Sequence, residues 1–256
     1  MSHLSESKEF VTSLARGLSV IRAFDKDHSR LTLTEVAART ELNRATARRF
    51  LFTLNALGYI DSDGKRFWLA PKILELGYAY LVSQPIVDTV QPFIERVSQE
   101  TGESCSVSML DGSDVVYIAR YLTHHIMSVT LNVGTRLPAY ATSMGRILLS
   151  AQNDDEIDAL LSDTPLKPFT EFTLTDIGAL KQELHKTREQ GYSIVSQELE
   201  IGLRSIAVPI RNQNGRIVAA INVGTQAARI DEQELIDRIL PSLQRAADEI
   251  RNVLPA

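Results

Sequence analysis

The segment at residues 31–60, LTLTEVAARTELNRATARRFLFTLNALGYI, restricts the fold more than any other part of this chain. It holds two amphipathic helix patterns separated by a short turn. Thr32 or Thr34 can cap the first helix, and Asn43 can cap the second, which ends at Gly58. Two helices joined so closely are typical of a helix-turn-helix, in which the second helix enters the major groove of DNA.

The second of these helices has two unlike faces when its residues are placed about 100° apart. The face predicted to pack on the rest of the domain carries Ala47, Phe50, Leu51, Leu54 and Leu57. The opposite face carries Arg44, Ala45, Arg48, Arg49 and Phe52. Guanidinium groups bind guanine edges and neutralise phosphate, so DNA contacts are predicted from Asn43, Arg44, Ala45, Thr46, Arg48 and Arg49. Phe52 does not fit a polar face, and the sequence leaves open whether it packs on the following hairpin or on a partner.

The flanking segments extend this motif to a winged helix-turn-helix domain at residues 13–70, preceded by an N-terminal arm at 1–12. A helix is predicted at 13–24, with Ser13 as its cap and an apolar stripe of Leu14, Leu18 and Ile21, with Val20 and Phe24 as further candidates. The segment YIDSDGKRFWLAP (59–71) predicts a β-hairpin with its turn at Asp63-Gly64. Lys65 and Arg66 at the hairpin tip are predicted to contact phosphate.

The charge distribution supports a separate DNA-binding part. Residues 1–72 carry 12 Lys and Arg against 8 Asp and Glu, whereas residues 73–256 carry 15 against 24. A basic domain attached to an acidic one indicates two functions, with a polyanion as one candidate partner. The chain lacks an apolar run of membrane-spanning length and a signal-peptide pattern at its start, and its single Cys105 cannot form an internal disulfide. A cytoplasmic protein without a membrane partner is expected.

A linker helix is predicted at residues 71–84, and it is more apolar than an isolated linker needs to be, which favours packing on a second subunit or domain. A larger domain follows at 85–256. It begins with a helix near 86–101, where Pro92 either kinks the helix or marks its true start.

The rest of this domain mixes strands and helices. Period-two strand patterns occur at 104–110, 114–120, 126–131, 192–197, 204–210 and 216–223, and helix patterns at 146–152, 154–162, 176–190 and 235–254, the last containing Pro241. The segment 134–145 is predicted to be a loop. Hairpin turns at Asp111-Gly112 and Asn214-Gly215 favour an α+β domain with a mainly antiparallel sheet.

No motif for catalysis is present. The chain contains no GxSxG, HExxH, GxxxxGK[ST] or GxGxxG pattern, and the pair His124-His125 cannot hold a metal alone. No cofactor or metal is therefore predicted. Two alternatives remain: an enzyme acting on an aromatic acid, and a DNA-binding protein whose second domain only oligomerises.

The segment YATSMGRILLS suggests an anion site. Thr142 or Ser143 can cap a helix whose free N–H groups near Ser143, Met144 and Gly145 would attract a carboxylate. Arg136, Arg146 and Arg204 are candidate partners for the same anion. The alternative is that the polar residues only cap the helix.

Four segments resemble the IclR family of bacterial transcription regulators. They are SLARGLSVIRAF, LTLTEVAARTELNRATARRFLFTLNALGYI, GTRLPAYATSMGRILLS and SQELEIGLRSIAVPIRNQNGRIVAAINVGT, which together with the intervening chain extend from about Phe10 to the end. The likeness is greatest to the subgroup that controls protocatechuate, 4-hydroxybenzoate and β-ketoadipate catabolism.

The resemblance implies a winged helix, a linker helix and a GAF-like effector domain with a six-stranded sheet. It implies a homodimer or homotetramer that binds double-stranded operator DNA and responds to a small aromatic or dicarboxylic acid. Dimer contacts are implied through the N-terminal domains and linker helices. The implied effector positions are Ser143, Met144, Ser205, Asn222 and Gly224.

Overall fold

The computed structural model describes residues 9–123, 131–162 and 164–254. The chain divides into two compact units, one ending at Tyr80 and the other beginning at Leu81. The predicted strand at 126–131 lies outside the described residues except for Leu131, as do His124, His125 and most of the predicted arm. No helix in the described part of the chain is long and apolar enough to cross a membrane.

The described residues 9–70 of the first unit form three helices and a small sheet, which confirms the predicted winged helix-turn-helix. The elements are α1 (Thr12–Arg22), β1 (Leu31–Thr32), α2 (Leu33–Arg39), α3 (Arg44–Ala56), β2 (Ile60–Ser62) and β3 (Arg66–Leu69). The strands pair antiparallel in the order β1-β3-β2. The wing is therefore three-stranded, because the short strand before α2 adds to the predicted hairpin.

The predicted caps set the ends of α2 and α3. The Glu35 amide donates to Thr32 Oγ1 while the Thr32 amide donates to the Glu35 carboxylate at 2.7 Å, which forms a capping box. The Thr46 amide donates to Asn43 Oδ1 at 2.8 Å, as predicted for the start of α3. Gly58 follows α3 with φ +80°, a conformation that favours glycine.

The core of this unit contains Val20, Phe24 and the partly buried Ile21, as predicted, but not Leu14 and Leu18. Ser13 does not cap α1, which begins after Val11 without a side-chain cap. Leu14 and Leu18 are 63% and 49% exposed. The face of α1 that packs on α3 is a different one, and Gly17 on that face lies against the Phe50 ring.

On α3, the predicted packing face is confirmed for Ala47, Leu51 and Leu54, which are buried, and Phe50 packs against the same cluster. Leu57 is 53% exposed, contrary to prediction. It is the C-cap residue, so the chain is already leaving the helical path there.

The predicted linker helix consists of a 3₁₀ turn at Pro71–Ile73 and the helix α4 (Leu74–Ser83). No residue of α4 is buried. Its exposed large apolar side chains are Leu74, Leu76, Tyr78, Tyr80 and Val82. The predicted contact of this surface with a second subunit stays a prediction.

The second unit is an α+β domain, as predicted. Its helices are α5 (Pro85–Thr101), α6 (Ser143–Ser150), α7 (Asp154–Ser162), α8 (Ile177–Gln190), α9 (Glu232–Glu234) and α10 (Leu240–Val253). Its strands are β4 (Ser104–Asp111), β5 (Asp114–Tyr121), β6 (Arg136–Pro138), β7 (Ser193–Ser196), β8 (Leu203–Arg211) and β9 (Ile217–Gln226). These six strands form one antiparallel sheet in the order β6-β5-β4-β9-β8-β7.

The sheet lies between two layers of helices. Its one face packs on α5 and α10, and its other face packs on α6, α7 and α8. Side chains alternate between the two faces along each strand. On β4, Cys105 and Val107 enter the core with α5 and α10, while Ser106 and Ser108 point to the opposite face.

Three local features differ from the sequence-based expectations. The predicted loop at 134–145 contains β6 and a 3₁₀ turn, Ala139–Ala141. Pro92 lies inside α5, whose true start is Pro85. The final helix is interrupted by a π-helical turn at Leu235–Ile239, which brings Pro241 into the first turn of α10, where its missing N–H is tolerated.

Candidate functional site

The polar face of the sheet in the second unit forms the floor of a cavity. Strand pairing places Ser104, Gly224 and Ser205 in one row across β4, β9 and β8. The neighbouring row places Arg120 beside Ser106, and Ser106 beside Asn222. All of these side chains, and the surface at Gly224, line the cavity.

The cavity has a volume of about 400 Å³. Its walls are mainly apolar and include Leu131, Leu137, Leu199, Ile201 and Leu203. This size and this mixture of apolar walls with a few polar groups are typical of sites for small organic molecules.

Arg120 is the one basic side chain among the described residues that line this cavity. Its Nε and Nη1 atoms are shielded from solvent, and no acceptor among the described residues bonds to them. Burial lowers the pKa of the Arg120 guanidinium below its ordinary value, because the charged form loses hydration. A buried N–H group without an acceptor is costly, so this side chain is suited to receive an anion.

The three arginines that the sequence suggested as anion partners are all engaged elsewhere. Arg146 is buried and donates to the Glu198 carboxylate at 2.6 Å and to the Tyr140 carbonyl. Arg136 pairs with Asp111 and Asp114.

Arg204, predicted to contact the effector, donates instead to Ser196 Oγ and to the backbone carbonyls of Ala227 and Ile230. It does not line the cavity, because it points to the opposite face of β8 from Ser205.

The structure brings four of the predicted effector positions together in the cavity lining: Ser143, Ser205, Asn222 and Gly224. The Ser143 and Ser205 hydroxyls share a hydrogen bond of 2.8 Å. Met144 and Gly145 do not line the cavity. Met144 is fully buried with its sulfur accepting from Ser108, and a Cβ on Gly145 would come within 2.0 Å of the Ala139 carbonyl oxygen.

Sequence reasoning missed the cavity residues of β4 and β5: Ser104, Ser106, Tyr117 and Arg120. The signal was present in SCSVS, where serines alternate with apolar residues, and in the arginine that closes the apolar run DVVYIAR. Burial raises the pKa of Tyr117 to about 12, which keeps its phenol protonated. Burial also raises the pKa of the Cys105 thiol, on the other face of the sheet.

The residues at the start of α3 that are predicted to contact DNA are accessible to solvent. Asn43, Arg44, Ala45, Arg48 and Arg49 are exposed and Thr46 is half-buried. Ala47, Leu51 and Leu54 fix the opposite face of α3 in the core, so the three arginines project away from the domain.

The wing tip carries both signs of charge. Lys65 and Arg66 are exposed, as predicted. Their amides donate to the Asp63 carboxylate at 2.9 and 2.7 Å and lower its pKa, because these bonds favour the ionised form. The turn therefore exposes two cations and one anion.

A winged helix on one unit and a lined cavity within a sheet-based second unit define the class of DNA-binding proteins that have a separate small-molecule domain. The IclR helix-turn-helix domain matches residues 13–64, and the C-terminal domain of the bacterial transcriptional regulator IclR matches residues 78–252. The chain belongs to the IclR family of bacterial transcriptional regulators, which confirms the resemblance and the expected class of regulator rather than enzyme.

Individual relatives align over nearly the whole chain. The Pca regulon regulatory protein of Pseudomonas putida is 46% identical, over 94% of this chain and 84% of its own length. A candidate transcriptional regulator from Rhodococcus sp. RHA1 has a crystal structure with a TM-score of 0.83 and 49% identity, over 95% of this chain and 98% of that one. An IclR homologue from Microbacterium hydrocarbonoxydans, crystallised with 4-hydroxybenzoate, has a TM-score of 0.79 and 27% identity, over 94% and 98% of the two chains.

Proposed function

We propose that this protein regulates genes for aromatic-acid catabolism and that a small aromatic monocarboxylate, bound in the cavity of the second unit, controls its binding to operator DNA. The observation that carries the proposal is Arg120, whose Nε and Nη1 atoms are shielded from solvent and have no acceptor among the described residues. A carboxylate is a charged acceptor for such a donor, and its charge restores part of the interaction that burial removed.

The charge of the cavity favours one carboxylate over two. Among the described residues that line it, Arg120 is the only basic side chain, while Glu198 and Glu200 are acidic. A dicarboxylic acid would bring a second negative charge without a second cation to receive it. The apolar walls suit a ring, and the serine hydroxyls of the floor suit a phenol.

The relatives support the same chemistry. One is named for the Pca regulon, and another was crystallised with 4-hydroxybenzoate. We therefore take 4-hydroxybenzoate as the first ligand to test.

The first unit supplies the DNA contacts of the proposal. Arg44, Arg48 and Arg49 supply base and phosphate contacts, and Lys65 and Arg66 supply phosphate contacts. Two copies of the chain present two such surfaces to a pseudo-palindromic operator, joined through the first units and α4, whose side chains are all unburied. Residues 13–70, 71–84 and 85–256 serve as DNA-binding domain, linker and effector domain.

Calorimetric titration with 4-hydroxybenzoate and with its neutral amide tests the cavity. We expect measurable binding of the acid and roughly 30- to 1,000-fold weaker binding of the amide, since a charge-assisted pair is lost. Arg120→Met should weaken binding of the acid to the same extent. Arg136→Met is the matched control, because Arg136 is an exposed, ion-paired arginine outside the cavity. This variant should bind the acid as tightly as the wild-type protein does. Adipate binding more tightly than 4-hydroxybenzoate would exclude the monocarboxylate.

Gel-shift titration at fixed salt tests the DNA contacts, on duplexes that the purified protein selects from a randomised pool. Arg49→Ala should weaken binding by about 1–3 kcal/mol. Arg216→Ala, on the β8–β9 turn of the second unit, should leave it unchanged. Selection of no common sequence would argue against a role as an operator-binding regulator.

A further inference from the structure

Phe52 stands out on the surface of α3. It is 75% exposed, the highest value among the large apolar side chains that the structure describes. It lies outside the buried face formed by Ala47, Leu51 and Leu54, so the core of the domain does not account for it. An isolated exposed apolar residue needs no explanation in general, but this one occupies the surface that carries the arginines.

The spacing of that surface is informative. Ala45, Arg48, Arg49 and Phe52 follow one another at i, i+3, i+4 and i+7, which places them on one stripe of a helix, and all except Phe52 were expected to contact DNA. Recognition helices that read the major groove use side chains at this same spacing. Phe52 is the last member of the stripe.

We propose that Phe52 is a specificity residue that contacts the methyl group of a thymine in the major groove of the operator. The inference rests on the proposed DNA-binding function. Thymine C5-methyl is the apolar group that base pairs present in this groove, and an aromatic side chain is one of its recognised partners. Contact removes both the methyl group and the exposed ring from water.

The charge around Phe52 selects DNA over a second copy of the chain as the occupant of this surface. Arg44, Arg48 and Arg49 are exposed on the same side of α3, and no ion pair to them occurs among the described residues. Two such surfaces would repel each other, whereas phosphates on both sides of the groove neutralise them.

The helix geometry also limits where the thymine lies. Ala45 and Phe52 are seven residues apart, which is about 10 Å along the helix axis. This is about three base-pair steps. The thymine is therefore expected within about three base pairs of the base that faces the first turn of α3.

The test replaces single thymines by deoxyuridine, which lacks only the methyl group, in the duplex that the purified full-length protein selects from a randomised pool. Wild-type protein should bind one substituted duplex about fourfold more weakly, the effect of one methyl group removed from water. Phe52→Ala should bind the thymine and deoxyuridine duplexes equally. Phe52→Leu, which keeps an apolar side chain, should retain part of the difference.

Leu57→Ala is the matched control, because Leu57 is an exposed apolar residue about 140° further around the α3 axis. It should keep the full thymine preference. If wild-type protein binds specifically but ignores deoxyuridine at every position, or if Phe52→Ala keeps the thymine preference, the inference is wrong while the regulator function stands. A change of oligomer in sedimentation would then place Phe52 in a contact between copies of the chain. Binding of DNA without sequence preference would contradict both this inference and the proposed regulator function.

Discussion

Helices α3 and α6 begin alike and differ in what surrounds them. Each starts with a side-chain cap: the Thr46 amide donates to Asn43 Oδ1, and the Gly145 amide donates to Thr142 Oγ1. Each carries arginine within its first two turns, and each was predicted to meet an anion. Yet α3 has an exposed outer face, whereas every residue of α6 is buried between the sheet and α8.

The difference shows what a local sequence signal can and cannot predict. A cap depends on neighbours in the chain, so both helix starts follow from sequence. The accessibility of an arginine depends on which elements pack around it. In α3 the guanidinium groups lie in water and need no partner, but in α6 Arg146 requires Glu198 and the Tyr140 carbonyl.

The largest expected effect comes from one substitution made on each helix. Arg146→Met should lower the free energy of unfolding by about 3–5 kcal/mol, because Glu198 stays buried without its counter-ion. Arg48→Met should change it by no more than about 0.5 kcal/mol. Urea denaturation followed by circular dichroism measures both.

A second variant separates the lost charge from the lost packing. Arg146→Met combined with Glu198→Leu removes both charges and should recover part of the stability. If Arg146→Met alone proves as harmless as Arg48→Met, the contrast between the two helices is wrong.

Gly145 tests how closely α6 is held. A Cβ added at Gly145 would lie 2.0 Å from the backbone oxygen of Ala139, and a backbone atom cannot move aside as a flexible side chain would. Gly145→Ala should therefore destabilise the protein by about 3 kcal/mol, measured by the same denaturation. Gly77→Ala, in α4 with nothing within 4 Å, should instead stabilise by about 0.5–1 kcal/mol. Equal effects at the two sites would contradict the close packing of α6.

The winged helix was largely predictable because its signals are local. The caps Thr32 and Asn43, the left-handed Gly58 and the turn at Asp63-Gly64 each act within a few residues. The wrong predictions in this unit, such as a buried Leu14, concern which face of a predicted helix is buried. For α1 this is decided by the contact of Gly17 with α3, which is not local in the sequence.

Only some of the strands and lining residues of the cavity could be predicted from the sequence. Alternating patterns gave the long strands of the sheet, but β6 has three residues and ends in Pro138, too short for a periodic signal. Ser205 and Asn222 came from the family resemblance. Arg120 joins them only through the register of β5 on β4 and of β4 on β9, which a sequence pattern does not specify.

Smaller losses of stability than at Arg146 or Gly145 are expected at the two caps themselves. Asn43→Ala should cost about 1 kcal/mol of unfolding free energy, because water can reach the exposed start of α3 and replace the lost bond. Thr142→Ala should cost about 2 kcal/mol, since Thr142 is buried and the Gly145 amide would be left without an acceptor. Replacement by serine should largely restore both, because serine also caps helices. The same loss at both caps would mean that water reaches the start of α6 as well, and the contrast between the helices would then rest on Arg146 and Gly145 alone.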